Sequence, residues 1–468
     1  MFDVNGIVYA SFKVLLRSMF WQYEKDETKV KSFVNREVKN CMLSFGETLH
    51  GEGNIKNIKS SVNKIKKDYD YIRQYFNNNM FIDSGGFQIQ MELIEPENIP
   101  YLIDGYCDFI QSVPHNNTYY FIEDVIPTQK GKVNRQQAYD MTIRGMKQMS
   151  ELPDIKKNNI YFVYHFQSPN IFDLWQDVMK VVPPEEYLGG HRWAVGGIVS
   201  NSGTASDTTF ISYMIPMQDI LQREMNYLKQ GKPMYFHILG VTGYLDIFFF
   251  TLFEALLKKY NLNVSITFDS TSSIMTVCRG NTFTFWENEP VPGFYSADLR
   301  PSQAHKGIKN FQAINELMTN EKIIQAKIQE MQNKFGFTGI DTHIGEDGRM
   351  VVATQYVFML YQMLSFKHMH NWCQTQSKIL IDLFFEDKRE FGVELIKIAS
   401  HLRAGRMSRD SKNKCTAIFN TIEAFDKILA TDDSYKSLSS IRNQINTLLQ
   451  SFESKEVLVE NVWPTTHR

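Results

Sequence analysis

The chain has 468 residues, 43% apolar and 22% charged; that is about three times the ~150 residues of a typical domain, and the composition excludes disordered, collagen-like and fibrous classes. Fifty basic against 52 acidic side chains leave a formal charge of −2, which excludes a globally electropositive coat, so any polyanionic partner must be met by local patches. Five cysteines, Cys41, Cys107, Cys278, Cys373 and Cys415, are dispersed and odd in number, the opposite of a secreted disulfide framework.

The N-terminal stretch MFDVNGIVYASFKVLLRSMF has no basic leader region and no small-residue cleavage pattern, so it does not read as a signal peptide. Short apolar and β-branched runs then recur: CMLSF from Cys41, MFID from Met80, YYFIED from Tyr119, IYFVYHF from Ile160, RWAVGG from Arg192, MYFHILG from Met234 and VSITFD from Val264. Their spacing of roughly 30 to 40 residues is that of a βα unit, and their nearly continuous apolarity predicts parallel strands buried on both faces. The intervening sequence is amphipathic, as in IFDLWQDVMKVV and IFFFTLFEALLKKY. The strongest apolar run, Leu245 to Leu257, contains Asp246 and Glu254 and is too short to span a bilayer; no membrane association and a cytoplasmic location are expected. With an eighth strand in the TFTFW run from Thr282, the pattern predicts a (β/α)8 barrel over residues 1–300, a doubly wound sheet being the alternative. Beyond it, QAINELMTNEKIIQAKIQEMQNKF, TQYVFMLYQMLSFKHMHNW, SKILIDLFFEDKREFGVELIKIASHL and YKSLSSIRNQINTLLQSFESK predict a helical region, 301–468, that completes and extends the barrel.

Polar and glycine residues follow each apolar run: Asp83-Ser84-Gly85-Gly86, Glu123-Asp124, His165-Phe166-Gln167, Gly196-Gly197, Gly240 to Gly243 and Asp269-Ser270-Thr271. In a parallel barrel these are the C-terminal strand ends, where active sites are built. In FIDSGGFQ an apolar strand delivers Asp83, and two glycines let backbone approach a flat ligand. This string resembles the DSGGFQ or DSGGYQ hallmark of the tRNA-guanine transglycosylase superfamily, TIM-barrel enzymes that exchange guanine for a 7-deazaguanine. FIEDVIP, FQSPNIFDL, RWAVGGIV, HILGVTG and TFDSTSS are similar, in order, to further motifs of that family.

The resemblance implies double displacement at a sugar C1′, with Asp269 as nucleophile and Asp83 as the group that moves protons on the departing and incoming bases. It implies a guanine-like base held by Ser84, by Glu123 or Asp124, by Gln167 and by the backbone amides of Gly196 and Gly197, with Phe87, Ile198 and Leu239 lining the pocket. Taken singly, Asp83 and Asp269 also read as a turn acid and a helix cap, and Phe87 as a core aromatic. Alignment leaves Glu123 and Asp124 both open as the acid that reads the base.

The chain departs from the tRNA enzymes in lacking their CxCxxC zinc pattern, and Met275 replaces an arginine of the family. The His368-Met-His370-Asn-Trp-Cys373 run has HxHxxC spacing, with Cys415 or His401 as a fourth ligand, but within a helix the two histidines face different sides, so surface histidines and no metal are expected. These departures resemble the phage and bacterial branch that places 7-deazaguanines such as preQ0 in DNA. The expectation is therefore a DNA-guanine transglycosylase with no cofactor, in the host cytoplasm if phage-encoded. The alternatives are the same exchange on tRNA and an inactive nucleic-acid-binding barrel. Duplex DNA would require the target base to be flipped out. Two basic stretches are candidates for phosphate contact: Lys56, Lys59, Lys64, Lys66 and Lys67, and Arg403, Arg406, Arg409, Lys412 and Lys414. A homodimer is compatible with all of this.

Overall fold

The computed structural model describes residues 6–270 apart from 11, 24, 47–57, 91, 129–130, 166–168, 197–206 and 242, then 284–286, 289–291, 329, 333, and 352–430 apart from 403–408. Eight parallel strands close into a barrel in chain order: β1 (Gly6–Tyr9), β2 (Asn40–Ser44), β3 (Asn79–Asp83), β4 (Thr118–Phe121), β5 (Ile160–His165), β6 (Arg192–Gly196), β7 (Met234–Ile238) and β8 (Val264–Ser270). The ring closes between β1 and β8, where Val8 pairs with Asp269. Seven of these strands are the apolar runs. The eighth is not the TFTFW run but GIVY at the N-terminus; Thr284–Trp286 instead pairs antiparallel with Glu289–Val291 in a separate two-stranded sheet. Four residues are enough for β1 because both its neighbours supply hydrogen bonds and all four are buried.

Period-two alternation sends every second side chain into the barrel. At its floor the Arg192 guanidinium lies over the rings of Tyr119, Tyr161 and Tyr235, 4.8, 5.5 and 4.1 Å from their centroids. Above it Phe81, Phe121 and His237 pack ring against ring. The third layer, at the C-terminal strand ends, is polar.

Helices alternate with the strands, and the described helix that takes the place after β8 is Val352–Glu386. This helix packs on both Tyr244–Lys259 and Phe12–Gln22, the helices that follow β7 and β1, and so fills the eighth position of the outer ring. Buried Met363, Leu364, Met369, Cys373 and Leu380 form its inner face. Thr251 and Ser377 hydroxyls meet at 2.9 Å within that interface, and the Tyr9 hydroxyl donates to the Met363 carbonyl. The helix stops at Asp387, whose carboxylate accepts from the backbone N–H groups of Arg389 and Glu390 and starts Lys388–Leu402; such side-chain capping favours a break over one continuous rod. The predicted helices at QAINELMTNEKIIQAKIQEMQNKF and YKSLSSIRNQINTLLQSFESK lie outside the described residues, apart from positions 329 and 333 of the first.

The last described helix, Arg409–Ala430, runs alongside Tyr244–Lys259 and in the same direction. Lys414 lies 3.7 Å from Asp246 near the start of both, and the Tyr260 hydroxyl donates to the Asp426 carboxylate at 2.7 Å near the end of both. Since Tyr244–Lys259 leaves from the C-terminal end of β7, Arg409 and Lys412 stand at the same end of the barrel as the polar layer. No described helix is long and apolar enough to cross a membrane.

Candidate active site

The polar layer is built from strand ends. Asp83 closes β3 and Asp269 stands near the end of β8, both inward by alternation from Phe81 and Thr267. Ser44, directly paired with Asp83 in the β2–β3 ladder, donates its hydroxyl to Asp83 Oδ2 at 2.7 Å. Burial pushes the Asp83 carboxyl up from 3.8 to about 7; the charges of Asp124 and Asp269 push the same way, and the Ser44 and Gly85 hydrogen bonds oppose them. Asp83 is thus a carboxylic acid that gains and loses its proton near neutrality, as a general acid/base requires.

Asp269 is fixed differently. Its Oδ1 accepts the backbone N–H of Gly240, just past β7, and lies 3.6 Å from His237 Nε2. Asp269 is partly exposed while His237 is fully buried. One carboxylate is therefore held by a backbone donor and the other is kept protonatable by burial, the division of labour that double displacement needs.

Asp124 and Glu123 separate clearly. Strand β4 ends at Phe121, and the chain turns so that Asp124 enters the polar layer, accepting from Ser84 Oγ at 3.0 Å and contacting His165 Nε2 at 2.5 Å. Glu123 packs behind it against Gly145 of the helix Arg135–Ser150. Both Glu123 carboxyl oxygens are buried without a hydrogen-bond partner, and burial, with the charges of Asp124 and Asp83, holds its carboxyl well above the usual range. Asp124 thus lies in the polar layer with hydrogen-bond partners, whereas Glu123 lies behind it, buried and without one.

Glycines make room for this cluster. A Cβ on Gly86 would stand 2.6 Å from the Asp124 carboxylate, and one on Gly196 would stand 2.7 Å from the His165 ring and 3.1 Å from Leu239. Gly85, at φ +113°, and Gly46 approach so closely that a Cβ on either would lie within 2.7 Å of the other's Cα. That contact locks the loop after β2 onto the loop carrying Ser84.

The structure therefore brings Asp83, Ser84, Asp124, Gly196, Leu239 and Asp269 together. Gln167, Gly197, Ile198, Arg403 and Arg406 lie outside the described residues, as do the side chains of Phe87, in the short helix Gly86–Gln90, and of Arg409. Lys412 is exposed, whereas Lys414 is half-buried with its charge met by Asp246. In the other basic stretch, Lys64 and Lys67 are exposed on the helix Ile58–Tyr75. Ser44, His165 and His237 belong to the cluster although motif reading gave them no role; the one signal was the polar His165 at the end of an apolar run.

His370 corrects the expectation of surface histidines: it is buried against Gly6, edge-on to Phe268, and burial lowers its imidazole to about 4. Gly6, at φ +85°, leaves only 3.0 Å between a hypothetical Cβ and the His370 ring. Cys373 and Cys415 are buried thiols that burial keeps protonated, and His401 packs on Trp372. Among the described residues no three His, Cys, Asp or Glu side chains are grouped so as to hold a metal ion. Comparison with protein-family models, with curated proteins and with solved structures returns no match for this chain.

Proposed function

We propose that the protein is a transglycosylase that exchanges guanine in DNA for a 7-deazaguanine base. The observation that supports this most is the pairing, at one barrel mouth, of an anchored carboxylate, Asp269, with a carboxylic acid titrating near 7, Asp83. In the first half-reaction an Asp269 oxygen bonds to C1′ as the C1′–N9 bond breaks, and Asp83 gives its proton to the departing guanine. In the second, the incoming base loses its N9 proton to the Asp83 carboxylate, N9 bonds to C1′, and the aspartyl ester cleaves. Both Asp residues return to their starting states, so no redox cofactor is required.

Asp124 would accept from the N1–H and exocyclic amine of the base, with Ser84 and His165 orienting its carboxylate. Exposed Lys412, at the mouth end of its helix, would meet a phosphate. A mouth ringed by carboxylates needs such cations at its edge to approach a polyanion.

The test is exchange of labelled guanine into duplex DNA and into tRNA. Label in DNA that disappears with Asp269→Asn supports the proposal. Label in tRNA alone moves the substrate to tRNA, and label in neither under any deazaguanine supply defeats the reading.

A further inference from the structure

Resting on that reading, we propose that His237 is a positioning residue that presents an N–H to the nucleophile and assists departure of Asp269 from the sugar. The argument starts with hydrogens. Thr267 Oγ1 has one proton and two possible acceptors, the Phe236 carbonyl at 3.1 Å and His237 Nδ1 at 2.9 Å. When the hydroxyl donates to Nδ1, the single proton of a neutral imidazole sits on Nε2, which is aimed at Asp269 Oδ1, 3.6 Å away.

His237 Nε2 is fully buried and has no other hydrogen-bond partner. A bare nitrogen lone pair facing a carboxylate oxygen is repulsive, whereas a protonated one is attracted to it. The other described walls are aromatic: Phe81 from β3 and Phe121 from β4 pack on the ring, and Tyr161 from β5, whose phenol burial keeps neutral, meets it edge-on. The carboxylate that faces Nε2 is Asp269, so the tautomer with its proton on Nε2 is the one this neighbour favours.

The consequence differs between the two half-reactions. With one Asp269 oxygen esterified to C1′, Oδ1 becomes a carbonyl oxygen on which negative charge returns as the ester cleaves. Donors from Gly240 and His237 then stabilise the leaving carboxylate. During attack the same donors draw charge away from the nucleophile, so His237 favours breakdown of the covalent state over its formation.

The experiment compares wild type, His237→Phe, which keeps a flat ring without N–H, and His237→Gln, which keeps a donor. Guanine release and the protein–DNA adduct are followed by denaturing gel and intact mass. His237→Phe is expected to form adduct at an undiminished rate but to resolve it on addition of a deazaguanine at least about tenfold more slowly, with His237→Gln restoring part of the loss. Thr267→Val, which removes the hydroxyl donor to Nδ1 that fixes the Nε2–H tautomer, is expected to slow resolution in the same direction and provides the second measurement if His237→Phe does not fold. Adduct in the wild type with unchanged resolution in the folded variants overturns the role of His237. No adduct in the wild type counts instead against the transglycosylase reading.

Discussion

Asp83 couples folding to pH in a direction opposite to that of a salt-bridged carboxylate. Its acid is raised from 3.8 to about 7 in the folded chain, so between those values the native state holds a proton that the unfolded chain has lost. Its stabilising contribution is complete below about 4 and is lost as pH rises through about 7. Thermal melts of the wild type and Asp83→Asn should therefore diverge across that interval, the wild type losing stability relative to the variant as pH rises. Buried Glu123, also raised, adds a slope of the same sign, so the slope should shrink further in Asp83→Asn with Glu123→Gln. On the proposed function, guanine release should fall above about pH 7 as Asp83 loses its proton, a limb that Asp83→Asn removes along with most of the activity.

The close approach of Gly46 and Gly85 is a second residue-scale feature with a measurable cost. Both partners are backbone, so Gly46→Ala must displace a loop and should cost about 1–3 kcal/mol by thermal or denaturant unfolding. Gly86→Ala meets the Asp124 carboxylate instead and, on the proposed function, should impair base binding, read as a rise in KM for guanine. Asp83, Ser84 and Asp269 were legible in the sequence because a motif and the end of an apolar run coincide there. Glu123 against Asp124 was not: period-two alternation continued from Phe121 points Glu123 inward, and only the turn of the chain after β4 reverses the two. The contact between His237 and Thr267 was invisible for another reason, since it joins neighbouring strands some 30 residues apart in the chain.

Among elements, the helix Val352–Glu386 decides whether the barrel is complete. Its pattern is plainly helical in the sequence, but its place between Phe12–Gln22 and Tyr244–Lys259 is set by tertiary packing alone. β1 was missed because four apolar residues make too short a run to distinguish, while TFTFW has ideal strand composition and pairs elsewhere. A chain ending at residue 351 should strip Tyr244, Thr251 and Phe253 on Tyr244–Lys259 of their partners Phe366, Ser377 and Phe425. The expected outcome is loss of cooperative unfolding and exposure of apolar surface to a hydrophobic dye. A milder test is Tyr260→Phe, which removes the tie to Asp426 and should lower stability by about 0.5–1.5 kcal/mol.

For the whole molecule, the near balance of charge removes long-range attraction to a polyanion, so binding must be local and short-ranged. Each lysine or arginine that neutralises a phosphate contributes to the salt dependence of affinity. If DNA is the substrate as proposed, Lys412→Ala should weaken its binding about equally for all sequences and reduce the slope of log affinity against log salt by about 1. The same titration with Lys414→Ala should show a smaller change in slope, since Asp246 already answers that charge.

The late position of the eighth ring helix has a consequence for biosynthesis. All eight strands have been made once residue 270 is translated, yet the helix that covers the flank beside the β1–β8 closure is finished only at residue 386. At roughly 5–20 residues per second, the nascent barrel spends on the order of ten seconds before that helix is complete. During this interval the ribosome-bound chain is a natural client for holdase chaperones, and a pause engineered between those two points should increase its capture and aggregation.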